Sequence, residues 1–345
     1  MADCDIKITF DKLREIGQEG RNSKVFLVHD HQLDGELVVK EIPKAQFKTP
    51  DEYFKEARLM FANKHVNVVE VNYAGMDVDN IYISMPFYKN GSMKHLISGG
   101  SFLTIRQVIR YAVQFLTGLN HIHSRNLVHF DIKPDNIMIA DNDVALLADF
   151  GLAKYTDVYG FTLQERAYSI HVSPEQIVSG LPQSRLTDIY QVGVTLYRMV
   201  NGNEYLYAQA PKGVDPRPGI ISGKFPNRKA YRAHVPTKLV QIINKCMSVN
   251  PADRYGNVLQ IINELASVTS HLDIQLTQLP DGEEWKIVKN GHLNIIQLHF
   301  DGTTFTVNAQ KEVGGALQNM NKLSFTSTKY PEVKKHLDTI FSSYD

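Results

Sequence analysis

Apolar residues change their spacing several times along the chain, and each change marks an element. Ile8 to Ile16 and Lys24 to His29 read as strands on either side of the polar stretch Gly17 to Ser23. Leu37-Val38-Val39-Lys40 is a third strand that ends in lysine. Asp51 to Asn63 has helical period, turning Tyr53 or Phe54, Ala57, Met60 and Phe61 towards a core, with Glu56 one turn from Met60. Ile81 to Met85 is again a strand. From Ile105 the apolar positions Val108, Ala112, Leu116, Leu119 and Ile122 predict a core helix. Asn136 to Ile139 and Val144 to Ala148 form a hairpin around the turn Asp141-Asn142-Asp143. Helices follow from Thr187 to Val200, closed by Asn201-Gly202, and from Thr237 to Ser248.

The last stretch has a different pattern. Trp285 to Lys289, Leu293 to Phe300 and Thr303 to Asn308 read as strands joined at Asn290-Gly291 and Asp301-Gly302, strong hairpin signals. Leu323 to Thr326 adds a strand, and Pro331 to Phe341 carries Val333, Leu337, Ile340 and Phe341 on one helical face. These elements predict a small α+β module over residues 281–345, joined through Gln278 to Gly282.

Length leaves room for this module beside a two-lobed core, at 345 residues. Lys plus Arg and Asp plus Glu balance at 37 each, so no bulk field draws the chain to nucleic acid or an anionic membrane. The two cysteines, Cys4 and Cys246, lack metal-ligand spacing and suit a reducing compartment. Neither a signal peptide nor an apolar run of roughly 18 residues occurs. A cytoplasmic location is expected, with delivery by a signal-independent route left open.

The candidate chemistry is concentrated between Leu127 and Gly151. His129-Phe130-Asp131, Lys133, Asn136 and Asp149-Phe150-Gly151 set two carboxylates, an ammonium and an amide within one short run. That run resembles the catalytic loop and metal-binding motif of the protein kinases. By this resemblance Asp131 is the base, Lys133 neutralises charge on the transferring group, and Asn136 and Asp149 are the magnesium ligands. Lys40 resembles the lysine that holds the α- and β-phosphates of ATP, paired with Glu56 on the following helix. Gly17, Gly20 and Ser23 resemble an imperfect glycine-rich loop, which by itself reads as an ordinary hairpin turn. Val25, Val38, Met85 and Met138 fall where the family lines the adenine pocket, with Phe87 and Tyr88 at the hinge. His121 and His123 on the core helix read as packing or capping residues rather than metal ligands.

The resemblance continues through Ser173-Pro174-Glu175, Asp188 and Arg254. It implies a buried Glu175–Arg254 salt bridge and an aspartate bracing the catalytic loop, although Asp188 also reads as a helix cap. Tyr168 and His171 depart from the usual pattern, and Tyr155, Thr156, Tyr159, Thr162, Tyr168 and Ser169 are candidate phosphosites. Phe130 stands where phosphate-switched kinases keep an arginine.

The implied fold is α+β, a bilobal kinase over residues 8–270 with lobes 8–86 and 89–270. The implied activity is magnesium-dependent transfer from ATP to a protein serine or threonine. A nucleotide-binding pseudokinase and an aminoglycoside-type small-molecule phosphotransferase are the alternatives. The module reads equally as a stabilising appendage and as a docking or self-association unit.

Overall fold

The computed structural model describes residues 7–17, 23–164, 170–178, 180–211 and 213–344. Gly20 of the glycine-rich loop lies outside the described residues, as do Cys4, Tyr168 and Ser169.

A five-stranded antiparallel sheet in the order β1-β2-β3-β5-β4 forms the small lobe. Its strands are β1 (Phe10–Gly17), β2 (Lys24–Asp30), β3 (Gly35–Pro43), β4 (Tyr73–Met76) and β5 (Asn80–Pro86), with helix α1 (Lys55–Ala62) between β3 and β4. Helix α1 is shorter than its apolar period suggests, because Pro50–Glu52 forms a 3-10 turn instead of its first turn. Its buried face is Ala57, Leu59 and Met60, and Phe61 is 63 % exposed, against the expectation that it faces the core. The cause is angular: a buried face that takes in Leu59 as well as Ala57 and Met60 is centred near Met60, which leaves position 61 about 100° away. There Phe61 lies under the Lys64 ammonium, 4.7 Å from its ring centroid.

The large lobe is helical. It contains α2 (Met93–Leu96), α3 (Ile105–His123), α4 (Pro174–Ile177), α5 (Arg185–Asn201), α6 (Asn203–Tyr207), α7 (Arg217–Ile221), α8 (Thr237–Cys246) and α9 (Val258–Ala266). Helix α3 starts where Thr104 and Gln107 form a reciprocal capping box, and its apolar stripe enters the main core. Helix α5 is buried along almost its whole length, so it is the axle of the lobe. Two short ribbons lie on this lobe: β6 (Leu127–Val128) with β9 (Lys154–Tyr155), and β7 (Ile137–Ile139) with β8 (Ala145–Leu147). The β7–β8 ribbon is the hairpin that the sequence predicts.

The C-terminal sheet has six strands, β10 (Gln275–Leu279), β11 (Gly282–Lys289), β12 (His292–Phe300), β13 (Phe305–Val313), β14 (Ala316–Asn319) and β15 (Phe325–Ser327). Helix α10 (Tyr330–Ser342) packs Val333, Leu337, Ile340 and Phe341 on it. Gln278 to Gly282, expected to be a connector, is the end of β10, a turn and the start of β11. The sheet therefore begins at Gln275, ahead of residue 281. Short β10 and β14 escaped notice because neither alternates apolar and polar residues cleanly.

The module shares its core with the large lobe. Ala233 is buried among Ile274, Leu276, Trp285 and Phe341, and Phe102 packs against the same cluster. Arg232 donates to Gln278 Oε1 at 3.0 Å, ion-pairs with Glu283 and stacks its guanidinium over Phe102. The Trp285 indole N–H donates to His234 Nδ1 at 3.2 Å.

This last bond requires a neutral imidazole. Burial, then the adjacent Arg232 and His271, push His234 down to about 3. The unfolded chain binds the proton more readily between there and the ordinary histidine value, so stability must fall as pH drops through that window, by up to about 1.4 kcal/mol per pH unit. The melting temperature of wild type is therefore expected to fall more steeply from pH 6.5 to 4 than that of His234→Gln. Parallel curves for the two proteins would refute this role.

Candidate active site

The sheet register of the small lobe gathers one set of residues. Val25 lies directly opposite Lys40, and Val38 directly opposite Met85, so all four share a face. Gly17 sits across from Val25, where a β-carbon would meet the valine Cβ at 2.7 Å. That close approach accounts for a glycine one residue earlier than the usual loop pattern. Ser23 immediately precedes β2, Met138 is half-buried on β7, and Phe87 and Tyr88 follow β5 directly.

Lys40 Nζ donates to Glu56 Oε1 at 2.8 Å and to Asp149 Oδ1 at 2.9 Å. One ammonium thus joins sheet, α1 and the segment after β8. Burial works against its charge, but the Asp149 and Glu56 carboxylates outweigh this and hold Lys40 well above its ordinary value. Asp149 is held well below the usual carboxylate range by Lys40, against the opposing effect of burial. Glu56 is raised by burial, and the Lys40 ammonium that opposes this is shared with the Asp149 carboxylate, which raises it further.

A second cluster lies on the loop before β7. Asp131 Oδ2 accepts from Lys133 Nζ at 2.7 Å and from Asn136 Nδ2 at 2.8 Å. Asn136 Nδ2 also donates to the Asp131 carbonyl at 2.9 Å. Its amide nitrogen is therefore committed inward, and its carbonyl oxygen is turned the other way. Asp149 keeps a carboxylate that is 41 % exposed. An amide oxygen and a carboxylate are hard oxygen donors of the kind magnesium takes, so this donor set fits that ion.

Both Phe130 and Asp149 adopt left-handed backbone conformations, with φ 67° and 62°. For residues other than glycine this is costly, about 1–3 kcal/mol each, and needs a surrounding frame. Asp188 supplies it for Phe130. It is fully buried, and its two oxygens accept from the backbone N–H of His129 at 2.8 Å and of Phe130 at 2.7 Å. The helix cap at this point is Ser184, so Asp188 is not a cap.

Two partners, Gln191 and Arg198, were not singled out from sequence, and a third, His123, was read only as packing or capping. His123 Nε2 lies 2.8 Å from Asp188 Oδ2. Gln191, one turn after Asp188, accepts from Ile132 N–H at 2.9 Å and donates to the Phe130 carbonyl at 2.9 Å. Arg198 is buried and donates to Asp135 at 3.0 Å and to His171 Nε2 at 2.8 Å, while His171 Nδ1 is 3.1 Å from the Ile132 carbonyl. The available signal was polar residues repeating along the otherwise apolar α5. His121 stacks on His65 at 4.9 Å, a packing role as expected.

Glu175 and Arg254 form a two-pronged buried ion pair at 2.8 Å on each prong, and Thr187 donates to Glu175 at 2.9 Å. The pair ties α4 to the segment following α8.

The protein kinase domain family model matches residues 10–266. A probable serine/threonine-protein kinase of Clostridium acetobutylicum is 30 % identical over 276 residues, covering 77 % of this chain and 41 % of that protein. The serine/threonine-protein kinase PrkC of Bacillus subtilis is 27 % identical over 249 residues, 70 % of this chain and 38 % of its own length. A probable serine/threonine-protein kinase PknB of Lactococcus lactis is 26 % identical over 76 % of this chain and 43 % of its own. This chain thus spans less than half the length of each of these relatives. With the match covering both clusters and the Glu175–Arg254 tie, the chain belongs to the protein kinase domain family.

Proposed function

We propose that this chain transfers the γ-phosphoryl group of ATP to serine or threonine hydroxyls of protein substrates, with magnesium as its metal. The observation that carries the reading is the joining of Lys40, Glu56 and Asp149 through one ammonium, beside the bonded set Asp131, Lys133 and Asn136. A chain that had kept only the fold would have no need to hold three charged groups at a half-buried position against their desolvation.

In this reading Asp131 orients the acceptor hydroxyl and takes its proton as the oxygen–phosphorus bond forms. Lys133, already 2.7 Å from Asp131, offsets charge on the group in transit. Lys40 holds the α- and β-phosphates in place. Asn136 and Asp149 would hold magnesium, which supplies charge neutralisation at the phosphate oxygens. The Glu175–Arg254 tie and the braced backbone of Phe130 favour a protein acceptor, since they stiffen the platform on which a peptide would lie.

The test is to incubate the purified full chain with γ-labelled ATP, magnesium and an acceptor protein, beside Asp131→Ala, and to identify the labelled amino acid. Phosphoserine or phosphothreonine from wild type alone is expected. No label, or equal label from both proteins, overturns the proposal.

Activity is also expected to survive complete dephosphorylation. Phe130 cannot grip an anion, and Arg125 donates to the Ala62 carbonyl at 2.8 Å. Order between catalytic loop and activation segment is supplied instead by the neutral His171, which burial and the adjacent Arg198 push well below the ordinary imidazole range. A fall in initial rate of more than about tenfold, ~1.4 kcal/mol of barrier, after phosphatase treatment verified by mass spectrometry would refute this.

A further inference from the structure

The C-terminal sheet changes character part-way along its inner face. Near α10 that face is apolar, with Trp285 and Ile287 on β11, Ile296 and Leu298 on β12, and Val307 and Ala309 on β13. Strand alternation carries the same face onward to Lys289, to His292 and Asn294, and to Lys311. The register sets Lys289 opposite His292 and Asn294 opposite Lys311, so these residues form one continuous patch. Helix α10 ends at Ser342, short of the patch, and leaves a cavity of about 890 Å³ above it. Asn319 to Leu323 and Ser343 to Tyr344 make its walls.

Inner-face positions normally carry apolar residues, because a desolvated cation without a counter-charge is costly. Here Lys311 is half-buried on that face, and Lys322 faces it from the wall. Among the described residues neither has a carboxylate within ion-pairing distance, and no acidic residue lines the cavity. Lys289 donates to the Ser343 carbonyl at 3.0 Å and so helps to close the wall. Asn290, Asn319 and Asn321 also line the cavity. The volume falls within the range of small-molecule sites.

We infer that this cavity binds a small, multiply charged, phosphate-bearing anion. Lysines act as point charges well suited to phosphate oxygens, whereas planar carboxylates favour the arginine fork, which no described residue lining the cavity supplies. Among the described residues lining the cavity, the lysines and the neutral amides provide donors and no carboxylate that would repel the ligand. This inference does not depend on the phosphotransfer reading.

The test uses inorganic tripolyphosphate and the full-length chain in titration calorimetry without magnesium. Because the probe could also meet Lys40, three proteins are compared: wild type, Lys40→Ala, and the double variant Lys311→Gln with Lys322→Gln. Wild type and Lys40→Ala are expected to bind alike. The double variant is expected to bind at least tenfold more weakly with an unchanged melting temperature, and wild-type affinity should fall as salt rises. No binding by wild type, binding lost in Lys40→Ala, or equal binding by the double variant overturns the inference. So does capture by liposomes containing a phosphoinositide when tripolyphosphate does not bind.

Discussion

Asp149→Ala is expected to lower phosphotransfer by at least about a thousandfold, ~4 kcal/mol of barrier, while the protein melts within a few degrees of wild type. The two readouts separate because of how the carboxylate is placed. It is 41 % exposed and lies with Glu56 on one shared ammonium, so its removal leaves the closer Lys40–Glu56 bond at 2.8 Å intact and relieves a repulsion between carboxylates. Lys40→Ala should be equally inactive but less stable, because it strands Glu56 and Asp149 together without a cation. Turnover by either variant within tenfold of wild type would overturn the assignment of this cluster. Equal melting temperatures for the two variants would show that Lys40 does not balance the carboxylates.

Glu175→Ala is expected to destabilise the domain by about 3–5 kcal/mol, because it leaves the Arg254 guanidinium buried without its counter-ion. In a domain of this size that lowers the melting temperature by roughly 10 °C. Arg254 retains bonds to the Ser248, Leu186 and Val249 carbonyls, which soften the loss without cancelling the charge. The double variant Glu175→Met with Arg254→Met should recover much of the deficit, since it removes both charges from the core. A double variant less stable than either single one would show that the pair contributes through shape rather than charge. Chemical denaturation of all four corners of the cycle gives the coupling directly.

What could be read from the sequence divides along the length scale of the signal. Long periodic elements were legible: the α3 stripe, the strands around Lys40 and the Asn290-Gly291 turn are each fixed by neighbours within a few residues. The candidate residues of both clusters could be picked out as well, because they sit in short motifs of distinctive order, and the fold bonds them together. Of the frame holding those groups, Asp188 and the Glu175–Arg254 pair were legible, and the residues around them were not. Gln191, His123 and Arg198 bond to backbone or side chains some thirty to sixty residues away, and nothing local distinguishes them from polar residues on a helix. Phe61 shows the opposite failure, an apolar residue whose helical period was right and whose face was turned away from the core. The β10 hairpin failed for a third reason, since Pro280-Asp281-Gly282 has the composition of a linker and the geometry of a turn.

The buried seam at Arg232, Ala233 and His234 also fixes how the C-terminal module can act on the rest of the chain. An accessory unit on a flexible leash samples many orientations, and what it captures is felt only as a raised local concentration that declines with leash length. Here Ile274 and Leu276, soon after α9, are already buried in the shared core, and Trp285 and Glu283 lock onto His234 and Arg232, so no leash exists. Anything seated on this module is held at a fixed bearing and distance from the catalytic cleft, like a tool in a rigid mount. Its reach is then set by the shape of the molecule, and lengthening the chain between the two parts would change nothing unless the seam itself were first broken.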